Sequence, residues 1–106
     1  MQACALSTYV ADVVREMRSV SRDTADQTKD CFGDPFGKLT DEDCAQIADT
    51  ITAGRFSDFF VFGHGVILTW ANIDGKLLLD IIAQGEQYAN IIAAINDILK
   101  GRGMAF

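Results

Sequence analysis

The chain has 106 residues, of which 49% are apolar and 23% are charged, and its net charge is −6. This length is close to the usual size of one domain, so residues 1–106 are predicted to form a single domain. The balance of apolar and charged residues excludes a chain that is disordered throughout. The acidic balance disfavours direct nucleic-acid binding, which depends on Lys and Arg contacts to phosphates.

The first predicted element is a long helix. Apolar residues recur from Leu6 to Val20 at the i, i+3, i+4, i+7 spacing of an amphipathic helix. The pattern then weakens, and the helix is predicted to continue to about Cys31 with a polar second half. Alternatively, Ser21 caps a separate helix. The proline and glycines within residues 32–38 predict a loop.

A second helix is predicted to begin after Thr40, whose hydroxyl is suited to an N-cap. Three acids follow in the first turn, where the helix dipole favours negative charge. Cys44, Ile47 and Ile51 supply an apolar face. Gly54 is predicted to follow the end of this helix, as a C′ residue.

The middle of the chain is predicted to form strands, because aromatic and β-branched residues dominate it. Residues 59–62 and 66–73 would be two strands that meet at a Gly-His-Gly bend. Asp74 and Gly75 are typical of a type I′ turn, which predicts a hairpin and a third strand within residues 76–84. A helix that starts at Asp74 is the alternative, since leucine is also a good helix former.

The last predicted element is a helix with an apolar stripe from Tyr88 to Leu99, which ends near Lys100. No repeat or low-complexity tract interrupts the order of elements. The predicted fold class is therefore α+β, with a small antiparallel three-stranded sheet packed with helices in the order α-α-β-β-β-α.

The net charge is concentrated in the middle third of the chain. Residues 23–58 contain nine acids against three basic residues, which gives −6. A solvated helical face would explain such a segment, and this interpretation stays open. The alternative is a contact with a protein partner that has a basic surface. The residues predicted for that contact are Asp23, Asp26, Asp30, Asp34, Asp41, Glu42 and Asp43.

Self-association is predicted from the middle strand. Val66, Leu68 and Trp70 would point to one side of it, and the residues between them are also largely apolar. A strand that is apolar on both sides needs cover on both sides. A second copy of the chain is the expected source, which makes a homodimer. The residues predicted for this contact are Trp70, Tyr88, Ile92, Ile95 and Leu99.

The residues with chemical potential form no recognisable site. His64 is the single histidine and lies between two glycines, where a structural role at a bend is expected. Cys4, Cys31 and Cys44 have none of the short spacings that are typical of zinc sites. We therefore expect no catalytic residue, no metal and no cofactor. The odd number of cysteines favours a reducing cytoplasm over an extracellular disulfide framework.

Membrane insertion is not expected. Residues 59–71 carry no formal charge, but a spanning helix needs about 20 apolar residues. The N-terminal sequence lacks the basic leader of a secretory signal. Both features agree with a cytoplasmic location.

Together these features predict a small, acidic, non-enzymatic protein-interaction module that forms a homodimer. An adaptor, a regulatory subunit or an inhibitor fits, including an accessory protein of a phage or mobile element. Two alternatives stay open. One is a DNA mimic that inhibits a nucleic-acid-binding protein, and the other is a small ligand-binding or enzymatic domain that uses His64.

Overall fold

The computed structural model describes residues 3–28, 36–53, 57–62, 65–83, 86 and 88–106, with the side chains of the first helix described from Leu6 to Ala25. The predicted fold class is confirmed: three helices and one antiparallel three-stranded sheet follow each other in the predicted order. The elements are α1 (Ala3–Thr28), α2 (Asp41–Ile51), β1 (Ser57–Val61), β2 (Val66–Ile73), β3 (Lys76–Ala83) and α3 (Ala89–Gly101).

The long helix α1 is held to the rest of the protein by one apolar face. Val10, Val13 and Met17 lie on this face and are completely buried. The helix continues without a break to Thr28, although its second half is mostly polar. Ser21 lies inside the helix and is itself buried, so the alternative of a separate helix capped by Ser21 is wrong.

Helix α2 begins where the sequence predicts. The Asp43 backbone N–H donates to Thr40 Oγ1 at 3.0 Å, and the Thr40 backbone N–H donates to Asp43 Oδ2 at 2.9 Å. This reciprocal pair, called a capping box, satisfies two N–H groups that the helix itself cannot satisfy. The apolar side of the helix, which includes Cys44 and Ile51, is buried and packs against α1. Gly54, the predicted C′ residue, lies outside the described residues.

The turn between β2 and β3 fixes the register of the hairpin. Asp74 and Gly75 have φ angles of 52° and 76°, and a type I′ turn requires positive φ at both positions. The strands then pair in antiparallel register from Ile73 with Lys76 to Val66 with Ala83. The predicted third strand is therefore confirmed, and the alternative helix is excluded because these backbone groups belong to the sheet.

The first strand differs slightly from its predicted position. It was predicted over residues 59–62, whereas β1 covers Ser57–Val61. Ser57 and Asp58 join the strand because β2 is long enough to pair with them. Gly63 and His64, where the bend was predicted, lie outside the described residues.

The core lies between the helices and one face of the sheet. Leu68, Trp70, Leu79 and Ile81 point into this layer and are at most 2% exposed. They form one cluster with buried residues of all three helices. Because the side chains of a strand alternate, the residues between them point to the opposite face, away from the helices.

The chain end covers the free edge of β3. The Leu79 N–H donates to the Met104 carbonyl oxygen at 2.7 Å, and Ala105 forms a parallel bridge with Leu79. Arg102 fastens this region to α1 through hydrogen bonds to Tyr9 and Glu16, which raise the pKa of its guanidinium. The edge of β3 is thus paired within the protein itself at Leu79.

The packing of α3 gives a stability prediction. Ile95 has no exposed surface, so Ile95→Ala leaves a cavity and should lower the free energy of unfolding by about 2–5 kcal/mol. Asp97 is exposed on the same helix, and Asp97→Ala should change it by less than about 0.5 kcal/mol. Urea denaturation followed by circular dichroism measures both. Equal effects of the two substitutions would contradict this arrangement of the core.

Candidate interaction surfaces

The acids predicted to meet a basic partner do not form one described surface. Asp23 is exposed on α1. The side chain of Asp26, and the whole of Asp30 and Asp34, lie outside the described residues. The acids that the structure brings together are the three in the first turn of α2, and they differ in their contacts.

Two of these three acids have a structural role. Asp41 forms an ion pair with Arg18 of α1 at 2.9 Å, and Asp43 closes the capping box at Thr40. Glu42 is exposed, and no such contact is described for it. All three acids are predicted for partner binding, but Asp41 and Asp43 also make contacts within the chain, and the capping pattern at Thr40 indicates the contact of Asp43.

Arg18 and its neighbour on α1 hold the start of α2 in place. Arg18 donates to the Leu39 carbonyl oxygen at 3.0 Å, besides its ion pair with Asp41. Arg22 donates to the Gly37 carbonyl oxygen. The basic side of α1 therefore neutralises part of the acidic segment within the chain, and the surface charge of α2 is smaller than its composition indicates.

The residues predicted for self-association lie mostly in the core of a single chain. Trp70, Tyr88, Ile95 and Leu99 are at most 2% exposed. Ile95 and Leu99 are buried because α3 packs against α1 and β3. Only Ile92 is partly exposed. The four buried side chains therefore have almost no surface to offer to a second chain.

The opposite side of the sheet is open and apolar. Phe59, Val61, Ile73 and Ile82 are 59%, 61%, 42% and 46% exposed. We call this side the outer face, and the register places the following residues on it: Ser57, Phe59, Val61, Ile67, Thr69, Ala71, Ile73, Lys76, Leu78, Asp80 and Ile82. Monomers rarely expose a continuous apolar surface of this kind without a function.

The outer face is not flat. Phe59, Thr69 and Ala71 border a shallow concavity of about 520 Å³ together with Phe106, which is 67% exposed. The sequence held the signal for this face, since Ile67, Ala71 and Ile73 alternate with the core residues of β2. The expectation that a second copy covers this side of β2 does not identify Phe59, Val61 and Ile82 as the exposed residues of the single chain.

A second surface lies where α2 faces the strand β1. A groove of about 330 Å³ is lined by Leu39, Asp43, Gln46, Ile47, Thr50 and Phe60. We call it the β1 groove. Its apolar groups come from both elements, and Asp43 gives it a negative charge. It adjoins the strand that forms one edge of the sheet.

The aromatic residues of β1 and β2 belong to the core. Phe60 lies 5.4 Å from Trp70 and 6.3 Å from Phe62 between ring centroids, and Phe62 lies 4.6 Å from Phe36. The buried Trp70 Nε1 has no acceptor among the described residues. An unpaired buried N–H costs about 1–3 kcal/mol, which the packing of this large ring has to offset.

The expectation of no metal site stays a prediction. Among the described residues, no group of three or more His, Cys, Asp or Glu side chains is placed to hold a metal ion. Of the residues considered for zinc, only Cys44 has a described side chain, since those of Cys4, Cys31 and His64 fall outside. Cys44 is buried in α2, and this burial raises the pKa of its thiol.

Within the described residues, no helix is both long enough and apolar enough to cross a membrane. Comparison of the chain with protein families, with curated proteins and with solved structures finds no match.

Cys44 gives a prediction about thiol reactivity. Burial raises its pKa, which lowers the thiolate fraction at any pH below that value, and burial also blocks access. Iodoacetamide at about pH 8 should therefore leave Cys44 unmodified in the native protein and alkylate it in guanidinium chloride. Peptide mass mapping measures the modified fraction. Rapid alkylation of native Cys44 would contradict the buried position.

Proposed function

We propose that the protein is a non-enzymatic interaction module, acting as an adaptor, regulatory subunit or inhibitor, and that it works as a homodimer. The observation that carries the proposal is the exposure of Phe59, Val61, Ile73 and Ile82 on a sheet face that no described helix covers. Such a face is better explained by binding than by chemistry, since apolar side chains supply association energy but no reactive group.

The size of the outer face supports a second copy as its occupant. The exposed Phe, Val and Ile side chains, with Phe106 beside them, each present on the order of 100 Å². With the partly exposed residues between them, the face offers roughly 700 Å², close to the area of about 800 Å² that each partner contributes to a typical stable interface.

The charge of the outer face also favours a second copy. Lys76 and Asp80 are its formally charged residues, so the face is neutral overall although the chain carries −6. A neutral apolar face can meet an identical face without repulsion, whereas a basic partner gains nothing from it. An anionic membrane would be repelled by the rest of the chain, since attraction to it requires a basic patch.

The acidic partner surface is proposed for the first turn of α2. Glu42 is exposed there, and Asp43 combines its capping role with a position in the wall of the β1 groove. We expect Lys or Arg of a partner to contact these two side chains, with Asp43 keeping its hydrogen bond to the Thr40 N–H.

The dimer is tested by placing charge on the outer face. Val61, Ile67 and Ile82 lie in one row across the three strands. Val61→Lys with Ile82→Lys should raise the dimer dissociation constant by at least about 100-fold, since two unpaired charges would be buried at the contact. Analytical ultracentrifugation measures the constant for the wild-type protein and for this double variant.

Ala93→Lys is the control for that experiment, because Ala93 is exposed on α3 and not on the sheet. It should leave the dissociation constant unchanged. A wild-type protein that stays monomeric at every accessible concentration would refute the homodimer.

The acidic surface is tested with a variant that keeps its shape. Glu42→Gln with Asp43→Asn removes two charges, and the side-chain amide oxygen introduced at position 43 can still accept the Thr40 N–H. Capture of a partner from native lysate by the tagged protein should fall about three- to tenfold and lose part of its salt dependence. Glu86→Gln with Asp97→Asn removes two exposed charges elsewhere and should change little. Equal capture by both variants would dismiss α2 as the partner surface.

A further inference from the structure

The two edges of the sheet differ in their backbone pairing. The edge of β3 is covered by the chain end through Met104 and Ala105. Strand β1 forms the other edge, and no described residue pairs with its outer side as a strand. Proteins usually cover or block a free edge, because its backbone groups can pair with another chain. An edge that the described residues leave unpaired, beside an apolar groove, is therefore a place where a further strand can bind.

We propose that β1 and the β1 groove bind an extended segment of a partner protein as a fourth strand, in which apolar residues alternate with Lys or Arg. The proposal rests on the proposed function as an interaction module, and it names the kind of partner and the mode of binding. This mode combines backbone hydrogen bonds, which supply affinity, with side-chain recognition in a groove.

The hydrogen bonds of β1 identify the backbone groups that face outward. The Phe62 N–H donates to the Val66 carbonyl oxygen at 2.9 Å, so this pair is a hydrogen-bonded pair of the antiparallel ladder. Hydrogen-bonded and free positions alternate along such a strand. The backbone groups of Phe59 and Val61 therefore point away from β2, toward the position that an added strand would occupy.

One of these outward groups already has a local acceptor. The Phe59 N–H donates to the Asp58 carboxylate at 2.9 Å, which partly protects the edge when no partner is bound. A carbonyl oxygen of the added strand would replace this carboxylate as the acceptor of the Phe59 N–H. The Val61 N–H has no such acceptor among the described residues.

The β1 groove is on the correct side to receive side chains of the added strand. Neighbouring strands lie about 4.8 Å apart, and their side chains alternate between the two faces in step. Phe60 points from β1 into the groove, where Leu39 and Ile47 supply its other apolar groups. Every second side chain of an added strand would point the same way, and an apolar one would fill the groove.

The charge around the groove selects a basic segment. Asp43 is the only formally charged residue in the described lining of the groove, and Glu42 belongs to the same helical turn. Lys or Arg beside the apolar anchor would therefore be attracted, whereas acidic segments would be repelled.

A second copy of β1 is a poor occupant of this edge. Strand β1 contains no Lys or Arg, whereas Asp43 in the groove favours a basic strand. Pairing of two copies through β1 would therefore bring no basic side chain to Asp43. The same pairing would leave the outer face uncovered.

The probe is an array of peptides in which Val, Ile or Leu alternates with Lys or Arg, and the best member is then labelled for fluorescence anisotropy. Binding to the full-length protein should be saturable. A peptide of the same sequence with N-methylated alternate amides cannot form the ladder, and it should bind at least about tenfold more weakly. Equal binding of the two peptides would overturn the proposal.

Two protein variants separate strand pairing from attraction by charge. Val61→Pro removes an outward N–H but none that bonds to β2, so β1 should persist and peptide affinity should fall about tenfold or more. Glu42→Gln with Asp43→Asn should weaken the salt dependence of binding, whereas Glu86→Gln with Asp97→Asn should not. Asp97 lies on α3, which packs against α1 and β3, and Glu86 precedes this helix.

Circular dichroism tests whether Val61→Pro is folded. If this variant is not folded, Ser57→Pro at the start of the same edge replaces it. Peptide binding that survives a folded proline variant unchanged would overturn the added strand. If lysate partners are captured but no array peptide binds, this inference fails while the proposed function stands. If neither a lysate partner nor an array peptide binds, the inference and the proposed function both fail.

Discussion

The constraint on which this structure depends is that three helices on one side of a three-stranded sheet can cover only one of its faces. The inner residues of β2 and β3 gain almost complete burial from this arrangement, and Trp70 is the largest of them. The outer residues gain nothing from the helices. Because the same strands carry apolar residues on both faces, burying the inner face leaves an exposed apolar surface that the described part of the chain does not cover.

The sequence predicts the order and type of the elements because each has a local physical signal. The cap at Thr40 and the turn at Asp74 and Gly75 are set by residues a few positions apart, and their geometry agrees with the prediction. The position of Ser21 shows the limit of such signals. A serine that is suited to capping becomes an interior, buried helix residue, because packing on α1 outweighs its local preference.

The candidate surfaces were harder to predict because they depend on contacts that are distant in sequence. Periodicity shows that Ile95 and Leu99 share one helix face, but it does not show that this face is buried against α1 and β3. Composition shows an excess of acids at α2, but not that Asp41 is paired with Arg18 of the preceding helix. The alternation of β2 did indicate an apolar outer side. Whether a helix covers that side is a question of connectivity, which the pattern does not contain.

The outer face and the β1 groove lie on opposite sides of strand β1. Packing of two outer faces against each other uses the side chains that point away from the helices and leaves the backbone edge of β1 free. The β1 groove lies on the helix side of the same strand, so occupation of one surface does not block the other. A face-to-face dimer would therefore display two grooves at fixed separation. Two binding sites on one rigid body gain avidity only for a partner whose basic segments match that separation, so dimer geometry would contribute to the choice of partner.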